Sequence, residues 1–255
     1  MSIGRPLILP ALGLLLALAG WEAGSRALLA VSPIAASFSP AASFAALGEL
    51  LGSGDIFRHI GISLERVGLA LLLAIAIGVP LGILVGVSRR FAAATSPLFQ
   101  FLRMISPLSW MPLAVMVFGI GDGPVYFLLA FAAVWPILMN TAAGVGALDP
   151  NWLLLARSLS ASRWETVCRI VLPGIVAHVL TGVRLAIGII WIVLVPAEML
   201  GVSSGLGYFI LDTRDRLAYG ELMAAILLIG LLGFALDSAA RGIYRRWLHA
   251  PAGRS

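Results

Sequence analysis

The 255-residue chain contains no lysine: all 17 of its basic residues are arginine. That absence excludes lysine Schiff-base and general-base chemistry, and it excludes the phosphate-binding P-loop, whose lysine must reach the phosphates. One cysteine, Cys168, rules out a disulfide within the chain. The three histidines, His59, His178 and His249, have no ligand-like spacing, so no metal site is expected. Charge of either sign is scarce, with 11% of residues charged against about 25% in a soluble domain. So few charges cannot cover a water-facing surface, and almost every soluble fold is excluded.

What the chain has instead is apolar length. Hydrophobic side chains make up 60% of it, with 28 glycines besides. A bilayer crossing needs about 20 mostly apolar residues, and stretches of that kind lie near 7–31, 62–87, 95–120, 124–147, 173–199 and 222–244. An all-α bundle of about six transmembrane helices follows, in a single membrane domain spanning 1–255. The first stretch also fits a cleaved signal peptide, because Arg5 precedes the apolar run from Leu7 to Trp21. The net charge of +5 does not form one dense patch, so nucleic acid is not an expected partner. The arginines recur between apolar runs. Arg89 and Arg90, then Arg157, Arg163 and Arg169, then Arg241, Arg245 and Arg246 share one side if six helices alternate. That side is expected to be cytoplasmic, with both termini on it. The other side mixes Glu49, Asp55, Asp212, Asp215 and Glu221 with Arg58, Arg214 and Arg216. Its main segments are expected at Asp55–His59 and Ser203–Tyr219.

Pro80, Pro107, Pro112, Pro136 and Pro196 interrupt the spans or stand near their ends. Each removes a backbone hydrogen bond when it lies past the first turn, and in lipid the freed carbonyl needs protein or a wet cavity. Repeated interruption therefore points to a bundle packed around a pathway. Gly78, Gly82 and Gly86 line up at four-residue spacing, which lets another helix approach closely. Gly201-Val-Ser203-Ser-Gly205 matches the nucleophile-elbow pattern, but a transmembrane helix precedes it where a hydrolase needs a strand, so no enzyme is read from it.

The connection 149–173 is better organised than a plain loop requires. Asp149 caps a helix that Pro150 starts, and Trp152, Leu155, Ala156 and Leu159 recur at helical spacing. Ser162 and Glu165 form a capping-box pattern for a second short helix, with Trp164, Val167, Cys168 and Val171 on one face. Pro173 ends that helix or starts the next span. Apolar faces on a cytoplasmic connection are either tucked under the bundle or docked into a partner, and docking is the expectation.

These residues resemble the permease subunits of binding-protein-dependent ABC importers. Their loop carries Glu-Ala-Ala, three residues, Gly, nine residues, Ile, any residue, Leu-Pro. Ile170, Leu172 and Pro173 match, and Ala156 falls on the last alanine. Leu154 and Leu155 replace Glu and Ala, and Ser160 replaces the glycine. Ser106-Pro-Leu-Ser-Trp110-Met-Pro112-Leu, Phe118-Gly-Ile-Gly121, Trp135-Pro-Ile-Leu-Met-Asn140-Thr and Ala197-Glu198-Met-Leu are similar to the nitrate, sulfonate, taurine and bicarbonate branch, the nitrate type foremost. The resemblance covers roughly residues 60–240. It implies the type I importer permease fold and a loop from Leu154 to Pro173 that seats in a groove of an ATPase subunit. Leu155, Ala156, Leu159, Ser160, Ser162, Trp164, Ile170, Leu172 and Pro173 are the candidate coupling residues. It further implies an inner-membrane complex with a second permease copy and a periplasmic or lipid-anchored solute-binding protein. ATP and magnesium would sit on the ATPase subunits, with no cofactor on this chain. The alternative is a channel or secondary carrier working without ATPases.

An anion pathway has its own candidates. Thr181, Arg184, Gly188, Trp191, Val195 and Glu198 follow one rhythm in the fifth span, on a face expected to look inward. An intramembrane arginine faces a cavity or the bundle, and Arg184 is read either as a pathway residue or as half of an ion pair that holds the bundle. Glu198, ~21 Å further along the helix, is expected to meet another helix or an external loop. Arg103, Ser106 and Trp110 would share a face of the third span, with Asn140 and Thr141 late in the fourth.

Overall fold

The computed structural model describes residues 5–248 and the side chains of 9–162 and 164–244, and every regular element among them is helical. The side chains of Arg5, Arg163, Arg245 and Arg246 and the residue His249 lie outside what is described, as do the two chain ends expected on the cytoplasmic side. Eleven α-helices are described: α1 (Arg5–Leu29), α2 (Pro40–Ser53), α3 (Asp55–Val87), α4 (Arg89–Met104), α5 (Met111–Phe118), α6 (Asp122–Gly146), α7 (Pro150–Ser158), α8 (Arg163–Thr166), α9 (Leu172–Glu198), α10 (Leu206–Asp215) and α11 (Tyr219–Leu248). Five helical stretches are long and apolar enough to cross a bilayer, and a bent pair makes a sixth.

That pair corrects the expected third span. In place of one helix over 95–120, α4 and the segment Pro107–Phe118 meet at 90°. Ile105 and Ser106 are both extended, with ψ of 128°. Pro107 disfavours a helical residue before it and opens a 3-10 turn, after which Pro112 occupies the first turn of α5, where its missing N–H costs nothing. Arg103, Ser106 and Trp110 therefore share no helix face, because the break falls between them.

At the centre lies α6, packed against α3 on one side and α9 on the other. The glycine stripe makes the first seam. A Cβ on Gly82 would stand 2.5 Å from Thr141 Cβ and 2.7 Å from the Leu138 carbonyl, and one on Gly86 would stand 2.5 Å from Val145 Cβ. On the α9 side, a Cβ on Gly182 would lie 2.9 Å from Ile137 Cα. Small residues at these points let the backbones approach and fill the seams with dispersion contacts. The resulting core holds Ala70, Ala74, Leu128, Leu129, Ile137, Ala186, Ile190 and Leu194.

Two segments expected as connections are helical. Asp55–His59 forms the first turns of α3, after Gly54 turns the chain at φ +83°, and Ser203–Tyr219 contains α10. The fifth span begins early: α8 runs into α9 through a π-helical turn at Val167–Val171, so one apolar rod extends from Trp164 to Glu198. Pro173 neither ends a helix nor kinks one, because the widened turn, in which Leu172 N–H reaches the Val167 carbonyl, delivers it into the first turn of α9.

Candidate functional site

At the bundle end opposite the 149–173 connection, a buried ionic cluster ties four segments together. Glu198, fully buried at the tip of α9, accepts from Arg66 Nη1 at 2.7 Å, from Ser63 Oγ at 2.8 Å and from Gly207 N–H at 2.9 Å. Arg66, 2% exposed on α3, also donates to the Ser204 carbonyl at 2.7 Å and, through Nε at 3.0 Å, to Asp122 at the start of α6. Ser63 in turn accepts from Leu206 N–H at 2.9 Å, and Gly205 N–H donates to His59 Nδ1 at 3.1 Å. Gly205 is required here, for at φ +111° a Cβ would lie 2.5 Å from Arg66 Nη1. Two carboxylates and a full set of donors offset the desolvation that makes an isolated buried arginine so costly. Glu198 meets another helix and an external-type loop, as expected. Its partners Arg66 and Ser63, and the Asp122 that Arg66 also engages, are not among the residues the sequence singles out. A buried acid needs a base at the same depth, and Arg66 is the arginine that follows the start of the second apolar stretch.

Halfway along the bundle, two cavities of about 380 and 340 Å³ lie beside α6. Arg103, Trp135 and Met139 line both. The first cavity adds Asn140, Pro107, Leu185 and Ile189, and the second adds Thr95, Ser96, Gln100 and Phe99. The structure thus brings Arg103 and Asn140 together. Asn140 Nδ2 donates back to the Pro136 carbonyl at 2.8 Å. Ser106 is exposed, and Trp110 packs on Phe131 with its indole nitrogen buried and unpartnered. The Trp135 indole nitrogen is also buried without a partner.

The stripe on α9 does not look onto these cavities. Leu185 and Ile189 do, while Gly182, Ala186 and Ile190 face α6. Arg184 lies 3.7 Å from Asp237 of α11, which Arg241 also engages at 2.9 Å. Trp191 Nε1 donates to the Ile229 carbonyl of α11 at 3.2 Å. Arg184 and Trp191 of the expected inward face are turned onto α11, because the flatter side of α9 carrying Gly182 and Ala186 takes the central helix, while Glu198 at the tip meets α3. Thr181 bonds only its own helix, to the Ala177 carbonyl.

In the 149–173 connection, Asp149 caps α7 by accepting from Asn151 N–H at 2.9 Å. Helix α7 ends in a Schellman turn: Ala161 N–H reaches the Ala156 carbonyl and Ser160 N–H the Arg157 carbonyl, with Ser160 at φ +55°. The capping box forms, Ser162 N–H to Glu165 Oε2 at 2.8 Å and Glu165 N–H to Ser162 Oγ at 3.2 Å. Ala156 is buried, and Leu153 packs with Val145, Val171 and Ile175, which fixes the connection to the bundle. Trp152 and Leu155 stay exposed, as do Leu159 at 73% and Trp164 at 76%. Ile170 is half-buried, and Leu172 and Pro173 are exposed.

A helical bundle with a broken span, intramembrane ion pairs and an anchored, apolar-faced connection is a membrane permease. Residues 78–249 match the family described as binding-protein-dependent transport system inner membrane component, and the chain belongs to it. It is 37% identical over 190 residues, 73% of this chain and 68% of the relative, to the nitrate import permease protein NrtB of Leptolyngbya laminosa. It is 37% identical over 195 residues, 76% and 69% of the two chains, to the bicarbonate transport system permease protein CmpB of Synechococcus elongatus. The taurine transport system permease protein TauC of Escherichia coli is 34% identical over 191 residues, 75% and 70%. Inward-facing structures of the MetNI methionine ABC transporter share the fold, with TM-score 0.61 at 16% identity over 74% of this chain and 94% of that one. So does a bacterial ABC transporter that imports alginate, with TM-score 0.61 at 18% identity over 74% and 79%. The chain is a multi-pass inner-membrane permease subunit of the ABC importer class, with the type I permease fold.

Proposed function

We propose that this chain, as a single permease domain over 1–255, carries a small oxyanion inward, powered by ATP and magnesium held on separate ATPase subunits. It works beside a second permease copy and receives its cargo from a periplasmic or lipid-anchored solute-binding protein. Both termini and the 149–173 connection face the cytoplasm. The relatives are named for nitrate, bicarbonate, aliphatic sulfonates and taurine, each of which carries a singly charged oxyanionic group, and the Ser-Pro-Leu-Ser-Trp and Ala-Glu-Met-Leu forms favour the nitrate type.

One observation carries the coupling: Trp152, Leu155, Leu159 and Trp164 stand exposed on a connection that is itself anchored by Ala156 and Leu153. Large apolar side chains exposed to water raise the free energy, and a partner that covers them lowers it. Displacement of α7 and α8 by an ATPase is passed on by the rod 163–198, ~54 Å long at 1.5 Å per residue, to Glu198 and the ionic cluster at the far end. Access then switches by movement of rigid helices about packed seams. Leu159→Asp is expected to leave the permease in the membrane and abolish co-purification with its ATPase; retained binding with full uptake would refute docking. Ala156→Glu is a poorer probe than the helix periodicity suggested, because Ala156 is 3% exposed and its replacement disrupts the anchor itself.

A further inference from the structure

Three arginines stand on the spans, Arg66 buried, Arg184 half-exposed and Arg103 exposed, and they differ in what pairs with them. Arg66 is held by Glu198 and Asp122. Arg184 shares Asp237 with Arg241. Arg103 makes no ion pair among the described residues, and it stands in the wall common to both mid-bundle cavities. Its neighbour Trp135 is 13 residues from the start of α6 and 11 from its end, so both lie near mid-depth, ~20 and ~17 Å from the two ends. The last turn of α4 supplies partial negative charge, which makes the position tolerable without a counterion. The walls around it are mostly apolar, with Ala132, Met139, Leu185 and Ile189 on one side and Phe99 and Leu138 on the other, and they carry the uncharged polar side chains Asn140, Thr95, Ser96 and Gln100. An unpaired, exposed guanidinium in the wall of two cavities that also carry Asn140, Thr95, Ser96 and Gln100 suits a ligand that is anionic and accepts hydrogen bonds.

We infer that Arg103 is the specificity-determining residue of the pathway: an oxyanion passes from the cavity bearing Asn140 to the cavity bearing Thr95, Ser96 and Gln100 by way of Arg103. The inference rests on the oxyanion-import reading and deepens it. Arg103 sets the sign of what crosses, while Arg66, held by two carboxylates, and Arg184, which shares Asp237 with Arg241, hold helices together. One exposed cation attracts the ion without trapping it, as transport requires.

The test uses the full complex with its ATPase and binding protein in proteoliposomes, measuring ATP-driven uptake of nitrate, bicarbonate and taurine. Arg103→Cys is expected to lower uptake of the carried ion about tenfold or more, the factor for one lost charge-assisted contact. Methanethiosulfonate ethylammonium, which rebuilds a cation on that sulfur, then restores uptake severalfold, whereas methanethiosulfonate ethylsulfonate, which places an anion there, does not. The wild-type chain, which keeps Cys168, is treated in parallel as the control, and Arg184→Cys is expected to show no dependence on the sign of the reagent. The comparison is made on one folded preparation before and after modification, so misfolding cannot imitate it. Equal uptake by Arg103→Cys, or equal response to both reagents, overturns the role of Arg103. A wild-type complex that moves none of the three ions overturns the oxyanion reading beneath it.

Discussion

Ser160 holds the turn between α7 and α8 in the left-handed region at φ +55°, in the position where the family pattern has glycine. The cost of that conformation for an L-residue is about 1–2 kcal/mol, partly offset by the extra chain entropy a glycine loses on folding, about 0.5–1 kcal/mol. Ser160→Gly is therefore expected to stabilise the protein by ~0.5–1 kcal/mol, a rise of ~1–4 °C in the thermal midpoint followed by circular dichroism in detergent. A lower midpoint would mean that the serine side chain contributes something glycine cannot. This turn was legible from one chain because Schellman geometry is local, as was the capping box of Ser162 and Glu165. The partner of Glu198 was not legible, because it stands 132 residues away and nothing in the spacing of either segment points to the other.

Among the elements, α6 depends on close approach, and its seams distinguish glycines that look alike in sequence. Gly82 and Gly61 lie on the same helix, yet a Cβ at Gly82 meets Thr141 and Leu138 while one at Gly61 meets nothing within 4 Å. Gly82→Ala is expected to destabilise the bundle by ~1–3 kcal/mol through overpacking, and Gly61→Ala to be neutral or slightly stabilising through helix propensity. Thermal midpoints of the two purified variants check this, and equal shifts would argue against tight α3–α6 packing. The ionic cluster joins elements in a second way. Removing one member of a buried pair leaves the other uncompensated, so Arg66→Met and Glu198→Leu are each expected to cost about 3–5 kcal/mol. The double variant is expected to cost less than the sum of the two, because Asp122 is left half-exposed to water. Additive losses in that cycle would show the pair to be uncoupled. Helix periodicity identified the α9 stripe correctly as a face but assigned it inward. The period specifies which residues share a side, and the smaller side chains of the opposite side decide which one meets the central helix.

For the whole molecule, the rod from Trp164 to Glu198 links the anchored connection to the far end of the bundle, where it is fastened to α3, α6 and the 203–207 loop by Arg66 and its partners. The class of the protein was written into the chain alone. An apolar content of 60% leaves the bilayer as solvent, because hydropathy is a sum over residues and needs no coordinates, and the permease class came from motifs that are local in the chain. The 90° break in the third span, the pairing of Arg66 with Glu198 and the turning of Arg184 onto Asp237 belong to tertiary structure. Each depends on which segments distant in sequence pack at the same depth, and in lipid that is decided by backbone approach and by the need of every buried charge for a partner.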